Sequence, residues 1–398
     1  MIARTSELPK IGLIGVSGYA SIHVEWLLQA HKDLRLIIAA FVTVEAECDS
    51  QAAEQLKATG AVQYESYLKM LEAQNGQLDL CFIPTGIQWH ARMTISALKA
   101  GCNVLVEKPL AGSTTDGRAV IDAMNETGRW VAVGFQDMYT DEVAALKRLI
   151  LKKRIGRIKT VSMLGLWPRA RNYYQRNNWT GRLRANDAFA LDSPLNNAFA
   201  HFVNLSLFLA GKTFEQSGDA FLNNAQLYRA HDIESFDTAV IQATSQSGTE
   251  FWFGVSHACQ STLEPIIRIV GTKGHIEWNQ DHQCTIHVTS NGDETLPLID
   301  SYAARKKMFE TVLERLSNPD TRICEPEIAL CHTRLIESIH RVGKIIEFDP
   351  SQIEEVPLEG TNSTVPVVTG LEDSLKEAFE TLSDLKAPKA EQSAIEAP

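Results

Sequence analysis

"KIGLIGVSGYASIHVEWLLQAH", Lys10 to His31, sets a short apolar strand against a glycine-bearing turn and then a stretch with helical spacing. The strand ends at Gly15, and Gly18 and Ala20 stand where the turn enters the helix. A residue without a side chain lets the backbone approach a bound group closely, and a helix N-terminus presents free N–H groups to an anion. The pattern is G-x-S-x-x-A, with Ser17 where the dinucleotide fingerprint has its second glycine. Taken alone, a plain strand-to-helix turn explains it equally well. Its place at the opening of a βαβ unit favours a dinucleotide site, with Gly15, Ser17, Gly18, Tyr19 and Ala20 as its contacts.

Outward from that turn, strand and helix alternate through the first 135 residues. "LRLIIAAFV", "LDLCFIPT", "NVLVEKP" and "WVAVGF" read as buried strands. "CDSQAAEQLKATG", "ESYLKMLEAQNG", "HARMTISALKAG" and "TTDGRAVIDAMNETG" read as the helices between them. Continuous apolar strands separated by amphipathic helices predict a parallel sheet covered on both faces. From about residue 155 the pattern changes. A long strand, "GRIKTVSMLGLW", leads through an irregular stretch to a helix over "NNAFAHFVNLSLFLAG". Paired runs with Ser-Gly, "TKG" and "SNGD" turns then predict an open, mostly antiparallel sheet. The expected organisation is an α/β domain over 1–135, an α+β domain over 136–385, and a small, polar, disordered tail over 386–398.

A length of 398 residues fits two cores rather than one. A net charge of −11 argues against general nucleic-acid binding, which needs a basic face. No apolar run is long enough to span a bilayer, and the N-terminus lacks a secretory segment. Seven cysteines without CxxC spacing read as reduced thiols, so the expected location is the cytoplasm.

A ribose-binding acid is expected at the end of the second strand, where "AAFVTVEAE" offers Thr43 and Glu45. Glu45 reads equally as a ribose cap or as a solvated loop charge. No arginine stands nearby to take a 2′-phosphate, which favours NAD over NADP.

With "FIPTGIQWHARMTISALKAG", "NVLVEKPLAG", "WTGR" and a histidine helix added to the Gly15 turn, the chain resembles the Gfo/Idh/MocA oxidoreductases over roughly Lys10 to Leu385. The resemblance implies an N-terminal Rossmann domain and a homodimer or homotetramer. In that family the lysine of Glu-Lys-Pro enters the cleft between the domains, where it meets the nicotinamide ribose and the reacting hydroxyl. Lys108 inherits that catalytic role, and Glu107 that of positioning the segment. A tight turn with a cis Lys108–Pro109 bond is implied too. Pro84, Thr85 and His90 match a cofactor-side segment, and His90 also reads as a residue of its helix's first turn.

The family's second catalytic element, D-x-G-x-H-x-x-D, appears here as "NAFAHFVN". Asn197 and Asn204 replace the acids and Phe199 the glycine, while His201 is retained as the acid–base candidate. A structural helix histidine is the alternative. "WPRARNYYQRNNWTGRLR" carries Arg169, Arg171, Arg176, Arg182 and Arg184 without one acid. Arginine forks bind carboxylate or phosphate, and aromatic faces stack on sugars, so this reads as a substrate lid. An oligomer contact and a basic nucleic-acid strip are the other readings. Trp179 and Arg182, with Arg176, Asn197 and Asn204, are the substrate-side candidates.

"HIEWNQDHQCTIHV" contains His275, His282, Cys284 and His287, but strand alternation sends Cys284 and His287 to opposite faces, so no metal site is expected. Trp252 and Trp278 are expected to be exposed on the open sheet and to mark a self-association face. The function these readings favour is NAD(P)-dependent oxidoreduction of a carbohydrate-like alcohol. Redox-neutral glycoside cleavage through transient oxidation, and a non-catalytic cofactor-binding regulator, are the alternatives.

Overall fold

The computed structural model describes residues 8–279, 283–289, 292–386 and 394–395. The chain divides into two compact units, Met1–Gly134 with Lys306–Pro326, and Phe135–Arg305 with Glu327–Pro398.

In the first unit, β1 (Lys10–Ile14), α1 (Ala20–Lys32), β2 (Ile37–Val42), α2 (Gln51–Ala58), β3 (Val62–Tyr64) and α3 (Tyr67–Ala73) form one half. β4 (Leu80–Ile83), α4 (Ile87–Lys99), β5 (Asn103–Val106), α5 (Thr114–Thr127) and β6 (Val131–Val133) form the other. The six strands pair in parallel in the order β3-β2-β1-β4-β5-β6. The order reverses between β1 and β4, and ligands of such sheets bind outside the strand ends at that point. Ser50, Ser66 and Ser113 cap α2, α3 and α5 by accepting N–H bonds. The sequence does not announce the return of 306–326 to this unit. Its Phe309 ring lies 5.7 Å from Trp26 and 5.8 Å from Phe82, and the Cys324 carbonyl accepts the Val133 N–H at 2.8 Å.

The second unit opens with α6 (Asp141–Leu151), β7 (Ile158–Leu166), a two-residue hairpin β8 (Arg184–Ala185) and β9 (Ala188–Phe189), and α7 (Ala200–Ala210). Strands β10 (Phe221–Arg229), β11 (Thr238–Thr244), β12 (Glu250–Ser256), β13 (Leu263–Gly271), β14 (Gly274–Asn279), β15 (Gln283–Val288) and β16 (Gly292–Pro297) follow. The next helix, α8 (Ser301–Ser317), belongs from Lys306 onward to the first unit, and the second unit resumes with α9 (Pro326–Val342), β17 (Ile345–Glu347), β18 (Ile353–Pro357), β19 (Thr364–Val368), α10 (Leu371–Thr381) and β20 (Ala394–Ile395). A ten-stranded sheet runs β16-β15-β14-β13-β7-β12-β11-β10-β17-β20, antiparallel except at β7–β12 and β10–β17. Of the expected tail, 387–393 and 396–398 lie outside the described residues, while Ala394–Ile395 pair with β17.

Two expectations are corrected. Trp252 and Trp278 are buried, with 2% and 3% of their surface exposed. Trp252 packs against Phe379 of α10 and donates its indole N–H to the Ser383 carbonyl at 2.9 Å, and Trp278 packs against Phe202 of α7. Helices cover the strand positions that alternation alone left open. The second correction concerns α7, which starts at Ala200 rather than at Asn196 or Asn197. The Asn197 amide donates to Asp192 Oδ1 at 2.9 Å, and the Phe199 N–H reaches the Pro194 carbonyl, so the preceding residues close a turn instead of a helix. His282 lies outside the described residues, and His287 stacks on its cross-strand partner His275.

Candidate functional site

In the first unit the groups gather at the strand ends beside the β1–β4 reversal. Gly15 has φ +98° and Gly18 φ +60°, conformations that a side chain disfavours. A Cβ on Gly15 would sit 3.6 Å from both the Pro84 carbonyl and Thr85 Cγ2, so this turn lies directly against the end of β4. α1 starts at Ala20 with no side-chain cap on its first turn. An uncapped helix start with a bare approach suits a phosphate. Thr43 is buried and its hydroxyl accepts from Gln63 at 2.8 Å. Glu45 is exposed, whereas Glu47, two residues on, accepts a hydrogen bond from the Ser17 hydroxyl. The acid that the β2 loop brings to the glycine turn is therefore Glu47, which sequence spacing did not single out.

At the end of β5, Glu107 is buried and fixed from three sides. His23 Nε2 lies 2.9 Å from its Oε1, and its Oε2 accepts the Lys108 N–H at 3.2 Å. Gly134 packs so closely that an added Cβ would fall 2.8 Å from Oε2. The Lys108–Pro109 peptide bond is cis. His90 is buried with Nδ1 2.6 Å from the Pro109 carbonyl and Nε2 3.0 Å from the Thr85 carbonyl. Burial pushes its pKa below the ordinary histidine value, against the pull of those two carbonyls. His90 is thus a strut that ties the Thr85 loop to the turn carrying Lys108.

In the second unit, His201 is the second residue of α7, with its Nδ1 3.8 Å from Asp137 Oδ2 and its ring edge-on to Phe135. Asp137 follows β6 in the sequence "GFQDMY", a strand-end acid that motif matching overlooked. Asp192 is the second overlooked acid: it accepts the Gly181 N–H at 2.6 Å and the Asn197 amide. Asn197 also reaches the Tyr173 hydroxyl at 3.5 Å. Acids are therefore present around His201 and Asn197, but they come from other segments. Phe199, standing in the glycine position, lies over Gly165, where a Cβ would meet its ring at 2.5 Å. It stacks on Trp167 and His257, so a glycine on β7 makes the room that the motif glycine would have left. Asn204 is fully buried, and its amide meets no hydrogen-bond partner among the described residues.

The lid arginines divide. Arg171 is paired with Glu355 and Arg182 with Glu234. Arg182 lines a cavity of about 840 Å³ with Tyr174, Arg229, His231 and Asp232. Arg184 lies over Phe189. Arg169 and Arg176 lie over Tyr173, whose hydroxyl accepts from the Asn197 amide at 3.5 Å. Trp179 is held through its backbone N–H by Asn177.

Among the described residues no helix is long and apolar enough to cross a membrane. Residues 9–135 match the model described as oxidoreductase family, NAD-binding Rossmann fold, and residues 143–277 match the GFO/IDH/MocA C-terminal domain. The dTDP-3,4-didehydro-2,6-dideoxy-alpha-D-glucose 3-reductase of Streptomyces violaceoruber is 29% identical over 166 residues, 41% of this chain and 46% of that protein. The inositol 2-dehydrogenase/D-chiro-inositol 3-dehydrogenase of Lactiplantibacillus plantarum is 28% identical over 158 residues, 38% of this chain and 42% of that protein. The chain thus spans less than half the length of these relatives. The fold is similar to that of the WlbA dehydrogenase from Bordetella pertussis, solved with NADH and UDP-GlcNAcA. That match has a TM-score of 0.67 and 24% identity, over 84% of this chain and 96% of that one. It is also similar to levoglucosan dehydrogenase, solved with NADH and levoglucosan, with a TM-score of 0.69 and 16% identity over 84% and 96%. With both domain models matched in order over more than half its length, the chain belongs to the Gfo/Idh/MocA oxidoreductase family.

Proposed function

We propose that this protein is an enzyme that moves a hydride between a nicotinamide dinucleotide, NAD rather than NADP, and a CH–OH carbon of a sugar, polyol or related cyclic alcohol. The observation that carries the reading is the Gly15 turn lying against Pro84 and Thr85, with Glu107 locked beneath Lys108 at the neighbouring strand end. The residues present fit a dinucleotide, because the approach at Gly15 is bare and α1 is uncapped. The names of the relatives, a sugar 3-reductase and an inositol dehydrogenase, support the substrate class.

In this proposal Gly15, Ser17, Gly18, Tyr19 and Ala20 hold the pyrophosphate, and Thr43 with Glu45 or Glu47 takes the ribose. The nicotinamide side is met by Pro84, Thr85 and Lys108, while His90 and Glu107 brace that segment. When bound, the nicotinamide supplies the hydride acceptor or donor. The Lys108 ammonium donates a hydrogen bond to the reacting hydroxyl, and His201 takes the proton that leaves it, a role suited to imidazole near neutral pH. Asn197, Arg176, Trp179 and Arg182 hold the substrate, and Asn204 lends support from one turn below His201. Glu47, held by the Ser17 hydroxyl at the turn, would repel a 2′-phosphate, which favours NAD. A cytoplasmic location and a homodimer or homotetramer belong to the same reading. Seven free thiols fit a reducing compartment, and light scattering tests the assembly.

Fluorescence titration with NADH and NADPH tests the cofactor. NADH is expected to bind and NADPH to bind more weakly. Failure of both to bind overturns the reading.

A further inference from the structure

Of five arginines in an acid-free stretch, three are already engaged: Arg171 with Glu355, Arg182 with Glu234, and Arg184 with the Asp187 carbonyl and Phe189 ring. Arg169 and Arg176 differ. Among the described residues neither has a carboxylate within ion-pair distance, although the chain is strongly acidic overall. Both guanidinium groups lie over one phenol ring, Arg176 at 3.9 Å and Arg169 at 5.1 Å from the Tyr173 centroid. Arg176 uses its Nε on the Thr180 hydroxyl at 3.3 Å, which fixes the plane of the fork. Arg169 makes a long bond to the Pro168 carbonyl, and its buried Nε meets no hydrogen-bond partner among the described residues.

Two cations gathered at one aromatic ring raise the local positive potential, which an oxyanion offsets. Asp192, whose charge is felt at Tyr173, accepts from the Gly181 N–H and the Asn197 amide. Tyr173 extends from this pair to Asn197, four residues before His201. We propose that Arg169 and Arg176, held on Tyr173, form an oxyanion-binding subsite that takes the carboxylate or phosphate of an acidic sugar and sets its ring toward Asn197 and His201. Only the choice of a sugar as carrier rests on the dehydrogenase reading. The oxyanion preference rests on the arginines.

Calorimetry on the full chain, with NADH present, compares D-glucuronate, D-glucose 1-phosphate and D-glucose. At least one of the two anions is expected to bind about tenfold or more tightly than glucose, the range that charge-assisted hydrogen bonds supply. Which anion wins distinguishes a sugar acid from a sugar phosphate. Arg169→Lys and Arg176→Lys keep the charge, lose the planar fork, and are expected to remove most of that preference. Arg171→Lys, already paired elsewhere, is expected to keep it. Equal binding of anions and glucose, no binding of any of the three, or a preference that survives both lysine variants overturns the subsite. NADH fluorescence on the same samples scores the cofactor reading separately.

Discussion

His23 Nε2 stands 2.9 Å from Glu107 Oε1, both groups buried, and the pair joins the helix after the glycine turn to the strand end that carries Lys108. Removing the imidazole takes one hydrogen bond from a buried carboxylate that keeps the Lys108 N–H, a loss of about 1.5–3 kcal/mol. His23→Leu is therefore expected to lower the urea midpoint strongly, and His23→Gln, whose amide still donates, to lower it less. Equal losses in the two variants would mean that ring packing against Phe82 and Trp26, rather than the hydrogen bond, sets the cost.

Gly134 supports the same carboxylate by having no side chain. An alanine Cβ there would fall 2.8 Å from Glu107 Oε2, and overpacking of this kind costs about 1–3 kcal/mol. Gly134→Ala is expected to be destabilising alone but nearly neutral in a Glu107→Ala background. Additive losses in chemical denaturation would contradict the contact.

Stability should also fall in acid. His340 is fully buried, and desolvation lowers its pKa to about 4. The unfolded chain titrates near 6.5, so between these values the unfolded state binds more protons. Stability is complete above about pH 6.5 and is lost toward pH 4, by about 3 kcal/mol from this group alone. His90 and His257 shift in the same direction for the same reason. His340→Gln is expected to flatten the difference between urea midpoints measured near neutrality and in mild acid. An unchanged difference would assign the acid sensitivity to the other two rings.

Thiol labelling probes the β2 loop. Of seven free cysteines only Cys48 and Cys331 are not fully buried, and burial pushes the Cys331 thiol up to about 12. Thiolate reactivity follows exposure and pKa, so one fast-reacting thiol, Cys48, is expected in the native protein. Because Cys48 follows Glu47 and Glu47 holds Ser17, NADH is expected to slow the labelling. A rate that saturating NADH leaves unchanged would remove this loop from the dinucleotide site.

Much of the first unit was legible because its information is local. Apolar runs give the strands, amphipathic spacing the helices, and Gly15 with Gly18 the turn between β1 and α1, where both glycines take a positive φ. The partners of those residues were not legible, since they depend on contacts between distant segments. Glu47 rather than Glu45 reaches Ser17, and His23 meets Glu107 from 84 positions away. In the second unit the motif showed that His201 had lost its flanking acids, while Asp137 stands near His201 and Asp192 holds Asn197. Alternation placed Trp252 and Trp278 on strand faces correctly but could not reveal that α7 and α10 cover them. Phe199 looked like damage to a motif until Gly165 was seen beneath it.

The central claim is hydride exchange with a nicotinamide at a sugar or polyol carbon, with Lys108 holding the reacting hydroxyl. Nicotinamide absorbance, followed with NAD and a panel of inositols, neutral sugars and sugar acids, tests it on the parent chain and on Lys108→Ala. The account predicts reduced nicotinamide formed in step with oxidised product. It also predicts that Lys108→Ala binds NADH nearly as well but turns over at least about a hundredfold more slowly, the range of acid–base groups. Turnover of Lys108→Ala at the parent rate, on the substrate the parent oxidises, would contradict it.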